Sequence, residues 1–177
     1  YNRFDWTMLC MISAFLLAFL LTVSQRFSLR WGTPVASILH GALTLTLMLL
    51  LAARWYISGH IPLSNGYETM LFVSFCLIGG TLLWGHVRLQ SFAALGAAFM
   101  LLVAHLGEIN PQITPLMPVL HSPWLSAHVS IIMISYALLA LSLVERALLR
   151  PAVMCLAAGI FLGAVWANVS WGTYWSW

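Results

Sequence analysis

Two stretches carry side chains capable of chemistry: SPWLSAHV, residues 122–129, which sets His128 in an apolar run, and WGTYWSW, residues 171–177, which gathers Trp171, Tyr174, Trp175 and Trp177 around Gly172. An imidazole offers a ring nitrogen to a metal ion. Clustered aromatic rings beside a glycine form a flat apolar surface that a large planar cofactor can approach closely. Each stretch also has a structural explanation. His128 could hydrogen-bond to the backbone of a neighbouring helix, and tryptophans commonly form a belt at the level of lipid headgroups. Spacing alone leaves both pairs of readings open.

The remaining polar residues are less pointed. His40 and His105 fall within or near the ends of apolar runs, where hydrogen bonding to a neighbour accounts for them, although both stay candidates for a second site at membrane depth. His60, His86 and His121 fall in loops or at helix ends, within reach of water. Asn65 and Glu68 have the spacing of a capping box that places a carboxylate at the positive end of a helix dipole. Glu68 could equally shape an outward-facing loop.

The elements that must position these groups follow from composition. Hydrophobic residues make up 62% of the 177 and charged residues 6%; the mean hydropathy is +0.96. Such a chain belongs in a lipid bilayer. Apolar runs at Trp6 to Val23, Val35 to Ile57, Tyr67 to Gly85, Phe92 to Leu106, Leu125 to Leu149 and Ala152 to Val169 predict six transmembrane helices, the fourth of them short for a hydrocarbon core of about 30 Å. Strand-like alternation is absent, so the expected fold is all-α: a polytopic bundle forming one integral membrane domain over residues 1–177. The chain begins at Tyr1 and stops inside WGTYWSW, which reads as a fragment cut at both ends, and its first helix is not expected to be a signal peptide.

Pro123 suits a helix start, which puts His128 in the first turn or two. Trp124 shares its face, and Ser135 and Ser142 continue the line at seven-residue intervals. In the last helix, Gly159, Gly163 and Ala167 repeat every four residues and allow another helix to approach closely. Arg26, Arg30, Arg88, Arg146 and Arg150 fall on one side of the six spans and Arg3 and Arg54 on the other. The arginine-rich side should be cytoplasmic and the tryptophan cluster should face outward. The scattered charges form no stripe for phosphates, so nucleic acid is excluded as a partner. Cys10, Cys76 and Cys155 sit in different predicted helices with no paired spacing, suggesting neither a disulfide framework nor a zinc site.

The string GAVWANVSWGTYWSW resembles the tryptophan-rich signature of haem-handling membrane proteins of cytochrome c biogenesis. HIPLSNGYETMLF and SPWLSAHVSIIMISYALL resemble companion segments of the CcsA/ResC branch, more closely than those of CcmC and CcmF. The resemblance implies a membrane protein of the bacterial inner membrane that, with a CcsB/ResB partner, presents haem b at the outer face for attachment to a CxxCH segment of apocytochrome c, as a subunit of a cytochrome c haem lyase. It also implies that His128 is an axial haem ligand and that Trp171, Gly172, Tyr174, Trp175 and Trp177 form the haem-binding signature, with no catalytic acid or base. The alternative that the resemblance to CcmC suggests is a haem transporter or chaperone that does not form the thioether bond.

Overall fold

In lipid the backbone must satisfy its own hydrogen bonds, and a chain this apolar does so by forming helices. The computed structural model describes residues 6–28, 32–82, 86–106, 112–113 and 120–175. These form six helices: α1 (Trp6–Phe27), α2 (Gly32–Ser58), α3 (Gly66–Leu82), α4 (Val87–Leu106), α5 (Pro123–Ser142) and α6 (Leu149–Trp171), with a 3-10 turn at Arg146–Leu148 between the last two. No strand occurs among the described residues. All helices but α3 are long and apolar enough to cross a membrane, as expected of an integral membrane protein.

The helix bounds differ instructively from the apolar runs. α4 reaches back to Val87 and is 20 residues long, because Arg88 and Gln90 interrupt the hydropathy without interrupting backbone hydrogen bonding. The short helix is instead α3, at 17 residues. α5 ends at Ser142, before the apolar Leu143 and Val144. There the chain turns, and Glu145 Oε1 caps the 3-10 turn by accepting from Ala147 N at 3.4 Å.

Small residues set the packing. α1 turns Cys10, Ala14, Leu17, Ala18 and Leu21 inward at heptad-like spacing, and it packs on α4, whose Ala93, Ala94, Ala97 and Ala98 are fully buried. Short side chains bring the helix axes together and gain dispersion contacts, the main attraction available where lipid is as apolar as the core. α3 packs against α2, α4 and α5, while α6 rests chiefly on α5. α6 is the least enclosed span, 11% buried over its apolar window against 39% for α1 and α4. Most of its surface is therefore available to lipid or to other protein.

One end of the bundle is tied by a polar network. Glu68 is fully buried and accepts from Arg54 Nε at 3.0 Å, from Ser64 N at 2.9 Å and from Ser64 Oγ at 2.7 Å. Only half of the expected capping box forms: Asn65 Oδ1 accepts from Glu68 N at 2.9 Å, but the glutamate side chain turns to Ser64 and Arg54 instead of back to Asn65. The Arg54 guanidinium also lies 4.9 Å from the centroid of the Tyr67 ring, and the Tyr67 hydroxyl meets Thr7 Oγ1. Three helices, α1, α2 and α3, are thereby fixed at this end. Removing one member of a buried ion pair leaves the other uncompensated and typically costs about 3–5 kcal/mol. Arg54→Ala should accordingly lower the thermal unfolding midpoint of the purified protein sharply, and Arg54→Met combined with Glu68→Gln should recover part of the loss. Equal midpoints for Arg54→Ala and wild type would show that the pair contributes nothing.

Candidate functional site

The site lies at the same end of the bundle and is built on the seam between α5 and α6. α5 starts at Pro123, the residue that its sequence favours, with Ser122 before it in extended conformation. His128 is in the second turn, half-buried, and its Nδ1 lies 2.6 Å from the carbonyl oxygen of Gly159. A carbonyl can only accept, so Nδ1 carries the proton, and in the neutral ring the lone pair is on Nε2. A histidine that donates one ring N–H to a backbone carbonyl has its tautomer and ring orientation fixed, as is usual for metal-ligating imidazoles.

Glycines on α6 make that placement possible. A Cβ on Gly163 would stand 2.7 Å from both Cε1 and Nδ1 of His128, and one on Gly159 would stand 2.6 Å from Ile132 Cδ1. Lower on the same seam, the buried Ser135 donates from Oγ to Ala152 O at 2.9 Å. His128, Ile132 and Ser135 thus face α6 as successive rungs, in line with the face read from the sequence. Ser142 departs from it and donates to Leu139 O within its own helix, at 2.6 Å. Trp124 remains largely exposed.

The aromatic cluster begins on α6 itself, which continues through Trp171, two residues beyond the apolar run. Trp166 and Trp171 meet edge to face, with centroids 4.8 Å apart. Gly172 ends the helix at φ 77°, and its N–H donates to Asn168 O at 2.8 Å. Nothing lies within 4 Å of the position a Cβ would take there, so the glycine is required by the left-handed cap and not by close approach of a neighbour. Trp171, Tyr174 and Trp175 are each more than half exposed, presenting flat apolar surface. Trp177 lies outside the described residues. The indole N–H of Trp166 is buried without a hydrogen-bond partner among the described residues.

The other histidines are separate from this seam. His40 is buried between α2 and α3, where Nε2 donates to Ile78 O at 2.8 Å, the carbonyl contact expected from its position. Its Nδ1 has no partner among the described residues. His105 is exposed at the end of α4, and His60 and His121 line a common cavity beside the start of α5. Among the described residues no group of three or more His, Cys, Asp or Glu could hold a metal ion.

No family model matches the chain. Individual proteins do. Protein NrfI of Wolinella succinogenes is 36% identical over 207 residues, covering 93% of this chain and 22% of that protein. The cytochrome c biogenesis protein CcsA of Chlamydomonas reinhardtii is 33% identical, with 89% of this chain and 56% of that protein covered. CcsA of Synechococcus sp. (strain CC9902) is 31% identical over 81% of this chain and 67% of its own length. The chain belongs to the CcsA family. It spans about a fifth of NrfI and just over half of the algal CcsA.

In this CcsA-family chain the backbone hydrogen bond that the sequence offers as one account of His128 forms, and its acceptor comes from the close-packing stripe of Gly159 and Gly163. The Arg54–Glu68 pair is the feature that the sequence does not disclose, although two opposite charges flanking a short loop between adjacent helices are its signal. The seam gives a direct test. Gly163→Ala should displace the His128 ring, weaken its bond to Gly159 and cost about 1–3 kcal/mol through overpacking. In histidine-labelled protein, NMR should show the His128 Nδ1 proton resonance lost or shifted upfield. An unchanged resonance would mean that the seam relaxes without moving the imidazole.

Proposed function

We propose that this chain takes part in cytochrome c assembly, binding haem as substrate at the outer face of the membrane and holding it for attachment to apocytochrome c. The single observation that carries the reading is the fixed imidazole of His128, whose Nδ1–H is committed to Gly159 O, leaving Nε2 as the ring atom with a free lone pair. Family membership and the relatives' role in cytochrome c biogenesis supply the context.

The residues fit the group. Nε2 of His128 would hold the haem iron, and the exposed rings of Trp171, Tyr174 and Trp175 would supply apolar surface for the macrocycle. Gly172 turns the chain so that Tyr174 and Trp175 follow the helix end, and Trp177 continues the same signature. The buried N–H of Trp166, without a partner among the described residues, lies on the ring that meets Trp171. Bound haem supplies iron redox chemistry and two vinyl groups; this chain's residues bind it, orient it and shield its faces. Catalysis would then rest on proximity to the thiols of an incoming CxxCH segment, without an acid or base from this chain. A CcsB/ResB-like membrane partner, a bacterial inner-membrane location and an outward-facing tryptophan loop belong to the same proposal. The five arginines on the opposite side support that orientation.

The test is the reduced haem spectrum of the full-length protein purified with its partner. His128→Ala should lose the haem or shift its spectrum, with recovery on adding free imidazole, and changing Trp171 and Trp175 together to alanine should lower haem occupancy. A spectrum and occupancy indifferent to all three changes would overturn the site and return the tryptophans to an interfacial belt. Covalent cytochrome c formed on coexpression with the partner would identify a lyase subunit, whereas bound, extractable haem alone would identify a carrier.

A further inference from the structure

Apart from the α5–α6 seam, the bundle has a second concave region, between α2 and α5. Both helices lean on α3, whose Phe72 and Phe75 form the floor of an apolar groove of about 380 Å³ walled by Met48, Leu51 and Ala52 of α2. Ser130 of α5 is its one hydroxyl-bearing neighbour, and that hydroxyl is already committed to Ser126 O at 2.7 Å. Apart from Ser130 and the Trp55 indole at its loop end, the described lining is aliphatic and aromatic carbon, which suits a hydrocarbon chain.

At its loop end the groove adjoins a second cavity of about 220 Å³, since Trp55 and Ile61 line both. Here polar side chains enter the lining: His60, His121, Ser122 and Ser126 contribute to it. His60 Nδ1 lies 3.1 Å from Ile61 O and so carries the proton, which leaves Nε2 as an acceptor in the neutral ring. No arginine or carboxylate lines either cavity among the described residues, and Arg54, the cation on the neighbouring turn, is engaged by Glu68 and Tyr67. A phosphate headgroup or a pair of haem propionates would call for such a cation. Two imidazoles and two hydroxyls instead match a neutral head that donates and accepts hydrogen bonds. The smaller cavity alone falls short of small-molecule sites, roughly 300–1,000 Å³, whereas the two joined lie well within that range.

We propose that the joined cavities bind a membrane quinone or its quinol, with the ring among His60, His121 and Ser126 and the isoprenoid tail along the groove over Phe72 and Phe75. The site is distinct from the His128 seam and stands independently of the haem reading. Neutral imidazoles recognise both redox forms, because a quinol hydroxyl can donate to His60 Nε2 and a quinone carbonyl can accept from the N–H of His121.

Full-length protein would be purified in mild detergent, and its quinone and phospholipid content measured by solvent extraction and mass spectrometry. After delipidation it would be titrated with decyl-benzoquinone and the corresponding quinol. Wild type should retain quinone near one per chain. His60→Ala and His121→Ala should each weaken binding, by about tenfold for the loss of a hydrogen bond of about 1.4 kcal/mol. Ala52→Trp, which fills the groove, should abolish quinone retention while the protein still elutes as wild type does. Should Ala52→Trp misfold, His121→Ala at the exposed rim decides alone. Copurification of phospholipid without quinone, or unchanged titrations in the histidine variants, would overturn the proposal. So would loss of haem on replacing His60 or His121 with quinone affinity intact, since those residues would then belong to haem. Haem spectra on the same samples separate failure of this site from failure of the His128 site.

Discussion

The arrangement depends on how closely α5 and α6 approach. With hydrogen atoms as side chains at Gly159 and Gly163, the backbone of α6 comes near enough for its carbonyl to receive the His128 proton. The bare α6 surface, the hydrogen bond and the ring orientation form one unit, because adding a methyl group at Gly163 leaves the imidazole no room in its present place. A polar side chain in a lipid-facing pair of helices needs a partner. Here that partner also selects the nitrogen that remains available.

The rest of the molecule supports that seam from one side. α3 stands behind α5 and is tied in turn to α1 and α2 by the Glu68, Arg54, Tyr67 and Thr7 contacts. α6 has little behind it, so its tryptophan end is held by α5, by the cap at Gly172 and by the contact between Trp166 and Trp171.

Much of this was legible from sequence, and the exceptions have physical causes. Six apolar runs gave six helices, Pro123 marked the start of α5, and the spacing of His128 and Ser135 placed them on one face. Hydropathy misjudged α4 because arginine at a helix end keeps its charge near water while the backbone remains helical. It extended α5 past Ser142 because apolar residues tolerate a turn. The capping spacing of Asn65 and Glu68 was read correctly for the backbone but not for the carboxylate, whose partners, Ser64 and Arg54, are chosen by tertiary structure. Gly172, expected to let a flat ligand approach closely, has in addition a backbone role that composition does not disclose: its φ of 77° ends α6.

The ion pair has a consequence for biosynthesis. Arg54 lies one turn before the end of α2 and Glu68 in the first turn of α3, so both charges belong to one helical hairpin. Their mutual neutralisation requires no later part of the chain. As the two spans leave the ribosome and enter the bilayer, the pair can form within the hairpin, and subsequent helices assemble against a unit whose charged groups are already matched.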